Sequence, residues 1–146
     1  MHVTFVAYLA FDDNTPAHLP PFTHDPCVWS LVEDYGLSCC FDPAFFAALG
    51  YPWAELGHTT DEDFGEPLVP LRGAPTFLGE VSEARELLDT EEYVGWLSAD
   101  ELVAAINHAS IDETTLARPF QVLLGAIRYL ASVYGENRVR LLFLFL

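Results

Sequence analysis

Between positions 116 and 131 the apolar residues recur every three or four places. Leu116, Phe120, Leu123, Leu124, Ile127, Leu130 and Ala131 therefore share one stripe of a helix. Proline is harmless only in a helix's first turn, so Pro119 places the predicted start close to itself, with Asp112 or Thr115 leading in. Gly135, directly after Tyr134, is the expected stop. Residues 138–146 (RVRLLFLFL) are then almost continuously apolar. Nine residues cannot cross a bilayer as a helix, but they suit a strand buried on both faces. At the other end, residues 2–11 (HVTFVAYLAF) are rich in β-branched and aromatic types and run into the turn signal Asp12-Asp13-Asn14. These two strands are expected side by side at the centre of one sheet.

Between them the pattern is more broken. Residues 12–28 hold Pro16, Pro20, Pro21 and Pro26, which predicts an extended loop laid over the core by Leu19 and Phe22. Residues 28–35 read as a short helix ended by Gly36. Asp42-Pro43 opens another helix, with an N-cap and a proline at the first helical position; Phe45, Phe46, Ala48 and Leu49 follow, and Gly50 ends it. Turn residues dominate from 51 to 79, where residues 68–71 can pair only at a sheet edge because of the flanking prolines. A short charged helix is expected from Ser82 through Arg85 and Glu86. Ser98 and Glu101 form a capping box ahead of a helix whose buried side is Leu102, Val103 and Ile106, ending near His108. The sum is a single α+β domain over residues 1–146: a small sheet containing the N-terminal and C-terminal strands, with three or four helices packed on it.

Charge narrows the function. Of 146 residues, 22 are carboxylates and six are basic, giving a formal charge of −16, and every basic residue is an arginine. Binding DNA or RNA requires cations that displace phosphate counterions, so direct nucleic-acid binding is not expected. Anionic membranes are disfavoured on the same ground. Neither a signal peptide nor a membrane span is read in the chain, and three cysteines, an odd set with two adjacent, suit a reducing cytoplasm. A field of this sign favours a partner with a basic surface. The carboxylates concentrate at Asp61, Glu62, Asp63 and Glu66, and then at Glu80, Glu83, Glu86 and Asp89, with Glu83/Glu86 and Glu86/Asp89 on neighbouring turns of a helix face.

Three other chemistries can be spelled from the residues. His58-Thr-Thr60 and His108-Ala-Ser110 both read H-x-[ST], the paired signature of two-histidine phosphoesterases, in which two imidazoles exchange a proton as base and acid. That chemistry needs both motifs on strands facing one groove, whereas His108 falls at a predicted helix end and Asp61 to Asp63 crowd His58. His24 and Cys27, with Cys39 and Cys40, offer four ligands of the types zinc takes, but adjacent cysteines point apart in extended chain. Arg72 and the aromatic Trp96 together could hold a nucleotide-like small ligand. Arg72 is equally suited to neutralising Glu66 or Glu80. No cofactor is expected, and the chain lacks the lysine that a phosphate-binding P-loop needs.

Four blocks taken in order resemble a family of small bacteriophage and prophage proteins, mostly of unassigned function. Phe41-Asp-Pro-Ala-Phe-Phe-Ala-Ala-Leu-Gly50 is similar to that family's aromatic-rich short helix, and Arg72-Gly73-Ala74-Pro75 to its Arg-Gly-x-Pro turn. Trp96-Leu97-Ser98 with Glu101-Leu102 resembles its Trp-Leu-Ser-x-x-Glu-Leu helix start. Tyr134-Gly135 with Val139-Arg140 resembles its terminal Tyr-Gly and Val-Arg strand. The resemblance implies a phage setting and an α+β fold, and it implies no reaction. Joined to the charge, it sets the expected function: an acidic, non-enzymatic protein that binds and blocks a basic site on a host protein, its carboxylates imitating nucleic-acid phosphates as a counter-defence. An open sheet edge near the apolar terminus would also admit a second copy as a homodimer.

Overall fold

The computed structural model describes residues 3–31, 41–53, 64–75, 88 and 92–146. Within them a four-stranded antiparallel sheet carries three helices, an α+β arrangement. The strands are β1 (Phe5–Phe11), β2 (Cys27–Ser30), β3 (Tyr93–Ser98) and β4 (Val139–Phe145), in the spatial order β2-β1-β4-β3. The helices are α1 (Pro43–Ala48), α2 (Ala99–His108) and α3 (Arg118–Tyr134).

The two chain ends are the centre of the sheet, in register from Phe5 opposite Phe145 to Phe11 opposite Val139. Both strands are covered on their two faces, and this is why each reads as an unbroken apolar run instead of alternating. Phe5, Ala7, Leu9, Phe11, Leu141, Phe143 and Phe145 point to the helical face, joined by Phe45 and Phe46 of α1, Leu102 and Ile106 of α2, and Phe120, Leu123, Leu124 and Ile127 of α3. Phe5 is the hub of that core. Its ring stacks on Phe46 at 5.5 Å and meets the rings of Phe45, Phe120, Phe143 and Phe145 within 6.2 Å. The opposite face holds Val6, Tyr8, Ala10, Val94, Leu142 and Leu144 under Phe22 and Leu88.

Several expected ends match the caps observed. Asp42 accepts from the Phe45 N–H at 3.0 Å, with Pro43 in the first turn of α1. Ser98 and Glu101 make both halves of the capping box. Pro119 lies in the first turn of α3, and Gly135 closes that helix at φ 104°, where any other residue would be strained. Asp112 caps a short 3-10 turn, Glu113–Thr115, rather than α3 itself.

Three expectations fail. Residues 27–30 form strand β2 and not the start of a helix, because Trp29 and Val28 find register opposite Leu9 and Ala10 and tertiary pairing overrides a weak local preference. Residues 93–98, read as the approach to a helix, are strand β3, paired with β4 from Tyr93 opposite Phe145 to Ser98 opposite Arg140. Residues 68–71 form no strand. The segment instead makes one ladder-like contact beyond them, from the Gly73 N–H to the Val94 carbonyl at 2.9 Å, on the outer edge of β3. β3 comes close to this segment because Gly95 has no side chain: a Cβ there would meet the Phe143 ring at 2.8 Å and Leu71 at 3.0 Å. The charged helix expected from Ser82 falls outside the described residues.

Candidate functional site

The polar chemistry gathers on the second face of the sheet. It begins at Asp12, the residue after β1, whose carboxylate is fully buried. One oxygen accepts from the Asn14 and Thr15 N–H groups at 3.2 and 3.0 Å, the other from the Phe22 N–H at 2.8 Å. Arg138 approaches the same carboxylate at 3.6 Å and donates to the Thr15 carbonyl at 2.7 Å. Burial alone would push the Asp12 carboxyl up. The donated backbone hydrogen bonds from Phe22, Thr15 and Asn14 more than offset it and hold the group at about 2. The effect is to fold the proline loop back over the sheet. Phe22 is held at φ 64°, a left-handed conformation that a bulky residue adopts only when its surroundings impose it.

Phe22 then forms the base of a stack of cations and rings. The Arg140 guanidinium lies 4.1 Å from the Phe22 ring centre and 4.7 Å from that of Trp96, and Arg72 lies 4.2 Å from Trp96. Contacts of this kind contribute roughly 0.5–2 kcal/mol, more as water is excluded. Arg140 is half-buried, and burial pulls its pKa below its ordinary value against the attraction of Glu101. Arg72 is clamped by Glu101. Its Nη1 donates to Oε1 at 2.9 Å, and its Nη2 pairs with Oε2. Glu101, which burial would raise, is held at about 2 by that guanidinium and by the Ser98 N–H and hydroxyl. One carboxylate thus closes the capping box of α2 and anchors the 64–75 segment to β3. Arg72 therefore neutralises Glu101, an acid not named for it from sequence; Glu80 lies outside the described residues.

This geometry bears directly on the small-ligand idea. Arg72 and Trp96 are brought together as expected, but both terminal nitrogens of Arg72 already face a carboxylate. An incoming anion would have to displace Glu101 and would meet its negative charge. The cluster is built as a bracket between loop, helix and sheet.

A separate cleft of about 250 Å³ opens between α1 and α2 under residues 64–68, lined by Ala44, Ala47, Ala48, Ala105 and Phe64, with His108 at its rim. His108 is in the last turn of α2, its Nε2 3.3 Å from the Glu66 carbonyl. Ser110 follows in a left-handed turn at φ 56°. His108 is therefore on a helix end, not on the strand that two-histidine chemistry uses. His58 and Thr60 lie outside the described residues.

Of the zinc-type ligands, Cys27 is exposed on β2, its thiol 3.6 Å from Asp13, and limited burial followed by that carboxylate pushes the thiol up, away from thiolate. The His24 backbone N–H donates to the Thr15 hydroxyl. Cys39 and Cys40 lie outside the described residues, and among those described no three His, Cys, Asp or Glu side chains gather as a metal site would require. Of the acidic set, Glu66 is exposed beside the cleft. Asp61, Glu62, Asp63, Glu80, Glu83, Glu86 and Asp89 lie outside the described residues.

Sequence reasoning missed Asp12, Arg138 and Arg140. One signal was present: an aspartate directly after a strand, in a chain whose few arginines include two at the mouth of the last strand. Among the described residues no helix is long and apolar enough to cross a membrane. Comparison of the chain with protein-family models, with curated proteins and with solved structures finds no match.

Proposed function

We propose that this chain is an acidic, non-enzymatic binder that occupies a basic site on another protein, its carboxylates standing where nucleic-acid phosphates would. The observation that carries this reading is where the arginines go. Among the described residues Arg72, Arg128 and Arg138 are each bonded to a carboxylate, and Arg140 lies against the rings of Phe22 and Trp96. These contacts occupy four of the chain's six arginines. Only Asp12, Glu101 and Glu113 are matched by them among those residues, out of 22 acids in the chain. The rest form an unbalanced negative field, which steers a basic partner inward and repels nucleic acid itself. The four blocks that resemble phage proteins support a partner in a bacterial host, a counter-defence target that handles nucleic acid.

The test is affinity capture from bacterial lysate at low and at high salt, with the native chain beside a variant carrying Glu83→Arg, Glu86→Arg and Asp89→Arg. A nucleic-acid-handling protein retained by the native chain, released by salt and lost on charge reversal is the expected result. Retention that ignores both salt and charge reversal would remove the electrostatic reading.

A further inference from the structure

Helix α3 has a second apolar face. Its core side, Phe120, Leu123, Leu124, Ile127 and Leu130, is buried against the sheet. On the opposite side Val122, Tyr129 and Val133 are 44, 69 and 56 % exposed, at helical spacings of seven and four, with the exposed Gly125 between them. An exposed mid-helix glycine costs about 1 kcal/mol relative to alanine. A Cβ at Gly125 would meet no atom of its own chain within 4 Å, so nothing in the fold calls for glycine there.

Charge identifies what covers this face. Between Glu113 and Glu136 the chain carries no carboxylate and two arginines, the longest acid-free stretch in a molecule of charge −16. Two such molecules repel over most approaches and least over this one. The helix ends add direction. Arg118, exposed in the first turn, and Glu136, exposed just past the last, each sit at the wrong pole of their own helix dipole. An antiparallel copy corrects both at once. With a two-fold axis near Ala126, Arg118 lies beside the partner's Glu136 and Tyr129 lies beside the partner's Val122 and the partner's Gly125. We propose that the outward face of α3 is a self-association surface on which a second copy of this chain packs antiparallel. This inference is independent of the acidic-binder reading, since the helix it uses carries no acid of its own. It differs from a dimer paired along a sheet edge: β4, the apolar terminus, is flanked on both sides by β1 and β3 and offers no edge of its own.

A helix of 17 residues is about 25 Å long, so the contact falls at the small end of specific interfaces and the dimer is concentration-dependent. Sedimentation velocity of the full chain across a wide concentration range should show the sedimentation coefficient rising from monomer to dimer. Tyr129→Glu should abolish the rise. Arg118→Glu and Glu136→Arg should each weaken association roughly tenfold, since the symmetry repeats every contact. The double variant Arg118→Glu with Glu136→Arg should restore it, a recovery that a merely unfolded variant could not give; circular dichroism checks that each variant is folded. A monomer at every concentration, a dimer indifferent to Tyr129→Glu, or no recovery in the double variant would each overturn the proposal.

Discussion

Asp12 sets the scale of what one residue does here. Its carboxylate accepts three backbone hydrogen bonds while fully buried, and so it fixes the loop that lays Phe22 on the second face of the sheet. On folding its pKa falls from an ordinary 3.8 to about 2. The folded state therefore binds fewer protons than the unfolded chain between those values. The stability it supplies is complete above about pH 4 and is lost as pH falls toward 2, an effect of about 2 kcal/mol. Asp12→Asn should lower stability at pH 7 by at least that amount, because it leaves Arg138 facing a neutral group and turns one acceptor oxygen into a donor. It should also flatten the acid limb of a denaturation curve followed from pH 6 to pH 2. An unchanged acid limb would mean that the carboxylate is not the hub described.

At the scale of the element, α2 shows how much hangs on its first turn. The Ser98 hydroxyl accepts from the Glu101 N–H, and the Glu101 carboxylate reaches back to the Ser98 N–H at 3.1 Å while holding Arg72. Ser98→Ala should cost about 1 kcal/mol through the lost cap. Glu101→Gln should cost more, since it loosens the helix end and releases the 64–75 segment from β3 together. Urea unfolding of the two single variants and the double variant separates cap from bracket. The pair should be non-additive, because Ser98 and Glu101 share one set of bonds.

For the whole molecule, the imbalance of charge is the dominant long-range term. A net charge of −16 makes the compact state repel itself, while the Arg138–Asp12 pair is largely buried, where salt screens it little. Added sodium chloride should therefore raise the melting temperature at pH 7, opposite to a protein held by surface ion pairs. Thermal unfolding across a salt series measures it, and a falling melting temperature would contradict it. The same imbalance supports both the proposed basic partner and the proposed self-association through the acid-free helix.

The sequence by itself determined the elements whose signals are local and repeated. The stripe from Phe120 to Leu130, the Asp42-Pro43 and Ser98–Glu101 caps, the Gly135 stop and the two apolar terminal strands all lie where their chemistry placed them, because caps and periodicity act within a few residues. Only the tertiary structure decided what depends on distant partners. β2 and β3 are strands because β1 and β4 offer them register, and neither carries a strong local signal of its own. Glu101 became a counter-charge of Arg72, and Asp12 met Arg138, through contacts between segments far apart in the chain. Pairings of that kind depend on the three-dimensional path of the backbone, and no short window of residues contains it.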